Sequence, residues 1–199
     1  MNLWDSRFSV EHFFYGAEPN IFFAEYLKTV KSPGTLLLPA EGEGRNAVFA
    51  AKSGWEVDAF DSSNVALKKA LNFASRENVA INYCLFDISG FVPEPEKYDL
   101  IALVFVHLPE EIRIPFHQKL VKSLKPGGTI LIEAFAKEQI TNNTGGPKDI
   151  NMLYSTDILK ADFSDLSFKK LIHEKVFLDE GHHYGQAEVV RMIAVSETQ

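Results

Sequence analysis

An α/β fold, a mostly parallel sheet with helices on both faces, is what this sequence predicts, and three observations predict it. Short apolar runs alternate with segments of helical period between residues 35 and 135. Acidic residues, Asp61 and Asp87, stand where two of those runs end. After Phe135 the alternation stops, and two long strand-like runs follow with only a short connection between them. Strands alternating with helices imply right-handed crossovers and parallel pairing. A connection too short for a crossover implies an antiparallel hairpin.

The elements follow in order. Residues 1–32 are rich in aromatics, with Trp4, Phe8, Phe13, Phe14, Tyr15, Phe22, Phe23 and Tyr26, and read as a cap. Pro19 stands where a first helical turn begins, Ile21 to Lys28 has helical spacing, and Lys31-Ser32-Pro33-Gly34 ends that helix. Residues 35–39 are a buried strand, 40–44 a glycine-bearing turn and 46–53 a helix stopped by Gly54. Residues 56–61 are a second strand, after which Ser62 or Ser63 caps a helix with apolar positions Leu67, Ala70, Leu71 and Ala74. A third strand covers 81–86, and a linker with Gly90, Pro93 and Pro95 follows. Residues 98–106 are nearly all apolar, as a central parallel strand is. A helix over 109–124 is expected to break or kink at Pro115, and Lys125-Pro126-Gly127-Gly128 leads into a fifth strand at 129–135. Residues 137–151 are polar and read as a mobile loop, with Asn142 to Pro147 as either a lid or an ordinary surface loop. A short helix at 156–163 precedes strands at about 168–178 and 186–195.

Composition sets limits on this frame. The chain has 199 residues, 46% of them hydrophobic and 24% charged, which fits one domain, 1–199, with the cap at 1–32 and the α/β core at 33–199. Its net charge of -7 argues against phosphate contacts and so against a nucleic-acid partner. The single cysteine, Cys84, excludes an intramolecular disulfide and fits a reducing, cytoplasmic setting. No apolar run is long enough to cross a bilayer, and the first residues carry no secretory pattern, so no membrane partner is expected.

In open α/β sheets ligands bind at the carboxyl ends of the strands. Four such ends carry candidates. Glu41-Gly42-Glu43-Gly44-Arg45-Asn46 joins a strand to a helix, where glycines permit close backbone approach and the helix terminus adds positive potential. The spacing Gly42-x-Gly44-x-x-Ala47 also satisfies a relaxed dinucleotide pattern, and a plain tight turn fits it too. Asp61 is placed either to accept ribose hydroxyls or to cap a helix. Asp87 is placed to accept from an exocyclic amine or to lie in a solvated turn. His107, just past the fourth strand, is either a general base or a packed histidine. His182-His183 makes no metal site, because neighbours on a strand point to opposite faces and no further ligand pattern accompanies them.

Taken together these residues resemble the class I S-adenosylmethionine-dependent methyltransferases. Glu41-Gly42-Glu43-Gly44 is similar to that family's glycine loop, Asp61 to its ribose-binding acid, Asp87 to its adenine-side acid, and Leu124 to Gly128 to the turn before its fifth strand. Gly44-Arg45-Asn46, Trp4-Asp5-x-Arg7-Phe8, Tyr15-Gly16-x-Glu18-Pro19-Asn20 and Gly181-His182-His183-x-Gly185 resemble its small tellurite-resistance-like and thiopurine-methyltransferase-like members. The resemblance implies a Rossmann-like, seven-stranded sheet with an antiparallel last strand. It implies S-adenosylmethionine as cofactor, held by Glu41, Gly42, Gly44, Asn46, Asp61, Ser62, Asp87, Ile88 and Val104. It also implies in-line methyl transfer to a small molecule such as a thiol or chalcogen, with His107 and His183 as the catalytic candidates. The sequence departs from the family where Leu38, Pro39 and Ala40 supply neither the usual acid nor the usual glycine. Glu41 is then the candidate for that charge, with backbone carbonyls as the alternative partner of the cofactor's amino group. Two other readings stand beside this one. A nicotinamide-dependent oxidoreductase fits the glycine pattern and Asp61, although no Tyr-x-x-x-Lys pair is present. A non-catalytic module that binds S-adenosylmethionine fits the altered glycine loop.

Overall fold

The computed structural model describes residues 3–92 and 94–197; Pro93 of the expected linker and the first two residues of the aromatic cap lie outside them. The order of elements is α1 (Leu3–Phe8), α2 (Ile21–Thr29), β1 (Thr35–Pro39), α3 (Arg45–Lys52), β2 (Glu56–Asp61), α4 (Asn64–Arg76), β3 (Asn82–Leu85), β4 (Tyr98–Val104), α5 (Glu110–Ser123), β5 (Leu124–Phe135), α6 (Thr156–Asp162), β6 (Ser167–Glu180) and β7 (His183–Val195). Short 3-10 turns lie at Ile88–Gly90, Lys137–Thr141 and Ile150–Met152. The strands form a seven-stranded sheet in the order β3-β2-β1-β4-β5-β7-β6. Pairs β1–β2, β2–β3 and β4–β5 are parallel, and β7 runs antiparallel to β5. The expected mostly parallel sheet with an antiparallel final strand is therefore present.

The chain divides into two compact units. Met1–Phe91 and Glu180–His182 make an amino-terminal unit; Val92–Asp179 and His183–Gln199 make a carboxyl-terminal unit. In the amino-terminal unit, β1 buries Leu36, Leu37 and Leu38 almost completely, as an interior parallel strand does. Helix α2 starts two residues after Pro19 and is capped by the intervening Asn20, whose side chain accepts from the Phe23 amide at 2.9 Å. Ser63 caps α4 through the Ala66 amide at 3.1 Å. The buried stripe of α4 is Ala66, Ala70 and Ala74, whereas Leu71 is exposed. Small residues are needed there because Gly44 comes so close that a Cβ on it would lie 2.6 Å from the Ala70 Cβ. The aromatic cap contains a helix, α1, that hydrophobic pattern alone does not announce.

In the carboxyl-terminal unit, α5 runs through Pro115 as one helix. Strand β4 stops at Val104 because Phe105 turns into the left-handed region, at φ 54°. Lys125-Pro126-Gly127-Gly128 belongs to β5 as an irregularity, where the register jumps from Tyr98 opposite Leu124 to Leu100 opposite Thr129. A Cβ on Gly128 would lie 2.9 Å from the carbonyls of both Tyr98 and Lys125, so the glycine is what the bulge requires. The connection between β6 and β7 is only Gly181-His182, shorter than the seven residues the sequence suggests. The polar stretch after β5 is not a free loop. Gln139, almost fully buried, bonds to Thr144, Gly145, Asn142 and Glu188 and holds that stretch in place.

Candidate functional site

The glycine loop after β1 is built from the inside out. Ala40 leaves the strand with a left-handed backbone, φ 50°, and Gly42 and Gly44 follow at φ 69° and 89°. These turns bring Glu41 back over the start of α3. Its Oε1 accepts from the amides of Asn46 and Ala47, both at 2.8 Å, and its Oε2 accepts from Asn46 Nδ2 at 3.2 Å. The helix terminus is thus capped by the chain's own carboxylate. Burial nonetheless pushes the Glu41 carboxyl up to about 7.

Asp61, at the end of β2, accepts from the Gly42 amide through Oδ2 at 3.0 Å and from the Ser63 amide through Oδ1 at 2.9 Å. Burial raises its pKa. Beneath the loop, the Tyr83 hydroxyl donates to the Gly42 carbonyl at 2.6 Å. Burial and then the charges of Asp61, Glu41 and Glu43 hold that phenol well above its ordinary pKa. Asn46 is consumed by structure: besides its bonds to Glu41, its Oδ1 accepts from the Asn20 amide at 2.9 Å. Ser62 lies half-buried between Asp61 and the cap residue Ser63. Asp87 is exposed after β3, where it caps the turn holding Ile88 and is kept below its usual pKa by hydrogen bonds from Ser89.

The amino-terminal segment covers this loop. Phe8 packs on Gly42, so that a Cβ there would lie 3.2 Å from its ring. Asp5 accepts from Ser63 Oγ at 2.7 Å. Glu43 accepts from the Phe14 amide at 2.6 Å and pairs with Lys69 at 2.7 Å. Arg45 donates to the carbonyls of Tyr15 and Glu18 and pairs with Glu180 at 2.6 Å. Glu180 also accepts from Asn20 Nδ2 at 3.0 Å. The motif pieces around Tyr15, Asn20, Arg45 and Gly181 are therefore partners of one another.

Val104, His107 and His183 belong to the other unit. Val104 is half-buried at the end of β4. His107 donates from Nδ1 to the Met152 carbonyl at 2.8 Å, while Nε2 accepts from the Phe135 amide at 3.3 Å. Burial pushes its pKa down to about 4. Both nitrogens are engaged and the ring stays neutral, so it holds two stretches of backbone together. His183 is buried against Phe105 and Phe135, with ring centroids at 4.8 and 5.0 Å. The structure thus gathers Glu41, Gly42, Gly44, Asn46, Asp61 and Ser62 in one loop system, with Asp87 and Ile88 on the next turn of that unit. In the other unit His107 and His183 both touch Phe135. Sequence reasoning missed Tyr83 and Glu180, and quoted Glu43 and Asn20 within motifs without giving either a role of its own. Only Tyr83 left a local signal, as the one inward residue of β3. Among the described residues no group of three His, Cys, Asp or Glu is placed to hold a metal ion, and no helix is long and apolar enough to cross a membrane.

Comparison with known proteins agrees with this architecture. Residues 39–128 match a family model described as a methyltransferase domain. N-terminal Xaa-Pro-Lys N-methyltransferase 1 of Xenopus tropicalis is 29% identical over 106 residues, which are 52% of this chain and 46% of that protein. The crystal structure of TehB from Haemophilus influenzae superposes with a TM-score of 0.74 at 21% identity, covering 90% of this chain and 63% of that one. The matched segment resembles S-adenosylmethionine-dependent methyltransferase domains, and the fold is the Rossmann-like sheet of the superposed structure. Within that class the chain is similar in sequence to the probable S-adenosyl-L-methionine-dependent methyltransferase TehB of Haemophilus influenzae, 27% identical over 143 residues, 69% of this chain and 47% of that one. The chain spans about half the length of the curated relatives it matches.

Proposed function

We propose that this protein transfers a methyl group from S-adenosylmethionine to a small, soft nucleophile. The observation that carries the reading is the occupied start of α3. Glu41 already takes the amides of Asn46 and Ala47, so a pyrophosphate would meet a carboxylate where a dinucleotide site offers free N–H groups. That disfavours the nicotinamide reading and favours a cofactor whose charge is positive.

The residues fit such a cofactor. An ionised carboxylate has about four acceptor positions. Asp61 uses three of them on the amides of Gly42, Ser62 and Ser63 and keeps one for a hydroxyl donor; Glu41 likewise uses three and keeps one toward a cation. When bound, S-adenosylmethionine supplies a methyl group on a cationic sulfur. Asp61 would hold its ribose, Glu41, Gly42 and Gly44 its amino-acid end, with Ser62, Asp87 and Ile88 toward its base. Asn46 serves by orienting Glu41. A soft acceptor suits the carboxyl-terminal unit, where His107 has no nitrogen to spare as a base and stays neutral at physiological pH. His107 is then a positioning residue, and His183 a contact on the acceptor side. The small-molecule assignment also follows the acidic net charge of -7.

Calorimetry with S-adenosylmethionine, its demethylated product and NADH tests this reading. Binding of the first two and none of the third is the expected result. Absence of binding by both sulfur compounds at millimolar concentration overturns it. Binding without methyl transfer to any of a panel of thiols, selenides, amines and phenols would leave a non-catalytic binding module.

A further inference from the structure

We propose that Gln139 is the latch of a flap, residues 142–147, which lies over His183 and gates the acceptor side of the enzyme. The gating part rests on the methyl-transfer reading above; the latch itself does not.

The β5–β7 ladder ends at Phe135 opposite Val189. One more backbone bond follows, from the Ala136 amide to the Glu188 carbonyl at 2.9 Å. The next partner is not backbone. Gln139 Oε1 accepts from the Glu188 amide at 2.9 Å, so a side-chain amide extends the ladder where β5 has stopped. The same oxygen accepts from Asn142 Nδ2 at 3.0 Å. Gln139 Nε2 faces the flap, donating to Thr144 Oγ1 at 2.7 Å and to the Gly145 carbonyl at 3.2 Å. Both donors and both acceptor positions of one buried amide are in use, and they join β7 to the flap.

What the flap covers gives the latch a purpose. At Gly145 and Gly146 the main chain lies directly on two rings. A Cβ on Gly145 would come within 2.5 Å of His183 Cδ2, and one on Gly146 within 3.0 Å of Phe135. These glycines sit at φ 132° and 88°, so they permit both the close approach and a hinge. The rest of the flap is polar, and its other side-chain tethers are exposed: Thr144 Oγ1 donates to the Gln186 carbonyl at 2.8 Å, and Lys148 bonds to Asn142 and Asn143. A polar segment with few bonds of its own, laid over a buried imidazole, opens when its latch does. The acceptor then reaches His183 from the side that Gly145 closes.

Glutamate at position 139 separates the two halves of the latch. Gln139→Glu keeps an acceptor for the Glu188 amide and removes both donors to the flap, leaving a carboxylate against the Gly145 carbonyl. Thr144→Val weakens the flap from its own side, removing both the acceptor for Gln139 and the flap's exposed bond to the Gln186 carbonyl, and leaves the Gln139–Glu188 bond in place. Each variant is first checked by urea unfolding, then treated with diethylpyrocarbonate and with trypsin, with mass spectrometry locating the products. Carbethoxylation of His183 and cleavage after Lys148 are expected to be about tenfold faster than in the parent protein for at least one folded variant. If both sites react at the parental rate in both variants, the latch is overturned. In parallel, calorimetry measures S-adenosylmethionine affinity, and KM for a thiol acceptor is compared with kcat. A latch that gates the acceptor changes the acceptor KM and leaves cofactor affinity within about twofold. Faster His183 labelling with unchanged acceptor kinetics overturns the gating. Absence of cofactor binding in the parent protein instead overturns the methyl-transfer reading and leaves the labelling result standing.

Discussion

The two units of this molecule are held together by different physics. In the amino-terminal unit the decisive contacts are ionic and polar. Arg45, Glu180, Glu43, Lys69, Asn20 and Asn46 are joined by side-chain bonds and lie mostly buried. Around His183 in the carboxyl-terminal unit the corresponding place is taken by rings, although that unit also holds the ion pairs Arg113–Asp162 and Arg191–Glu133. Phe105, Phe135, His183, His107, Tyr154, His117 and Phe163 touch in series, with centroid separations between 4.6 and 6.2 Å. Buried charges are costly to separate from their partners but replaceable as a set, whereas packed rings cost their full volume when removed. The cluster beside Glu41 is the one built on charge, and the cluster around His183 is the one built on rings.

The largest effects should come from breaking each kind of contact. Glu180→Ala leaves Arg45 buried without its carboxylate and should cost about 3–5 kcal/mol in urea unfolding. Pairing Glu180→Leu with Arg45→Met should recover most of that loss. Phe135→Ala should also cost about 3–5 kcal/mol, and no second substitution of similar size should restore it. Equal recovery in both units would erase the contrast.

Acid and base should act on the units with opposite sign. His107 has a folded pKa of about 4 against an ordinary 6.5, so the unfolded chain binds the extra proton between those values. Its contribution, on the order of 3 kcal/mol, is present above pH 6.5 and lost as pH falls toward 4. Glu41 is raised from 4.5 to about 7, so the folded chain holds the extra proton, and stability falls as pH rises across that window. The two windows overlap between about 4.5 and 6.5, so the slopes offset one another in the parent; urea midpoints measured from pH 4 to 8 should fall with rising pH in His107→Gln and rise with pH in Glu41→Gln. Smaller again, Ser63→Ala should cost about 1 kcal/mol through the lost cap of α4, read as a lower thermal midpoint. Smallest is Lys52→Ala. Its bridge to Glu77 is exposed, and the change should stay within about 0.5 kcal/mol and vanish in high salt.

Much of the fold was legible because its signals are local. The apolar run at 35–39, the Ser63 cap and the glycines at 127 and 128 each state their own geometry within a few residues. The glycine loop and Asp61 were legible for the same reason. Glu180 was not, because its partner Arg45 lies 135 positions away and nothing near either residue marks the pair. Pro115 misled in the other direction: the sequence marks a break, and the helix runs on through it. The segment at 137–151 reads as mobile from its polarity, yet a single buried glutamine orders it. His107 shows the limit most clearly. A histidine after a central strand suggests a base, and only the positions of Met152 and Phe135 show that both its nitrogens are spoken for.

The grip of the hairpin tip on the first residues has a consequence in time. The His182 amide donates to the Phe14 carbonyl at 3.0 Å, and a Cβ on Gly181 would lie 2.6 Å from that same oxygen. Phe14 leaves the ribosome 168 positions ahead of its partner His182. During synthesis the amino-terminal unit can form β1, β2 and β3, but it must wait for residues 180–182 before Arg45 finds its carboxylate and the segment over Gly42 is fastened. Such widely separated contacts make closure a late and slow event of folding. Until residues 180–182 have emerged, the glycine loop lacks its full cover.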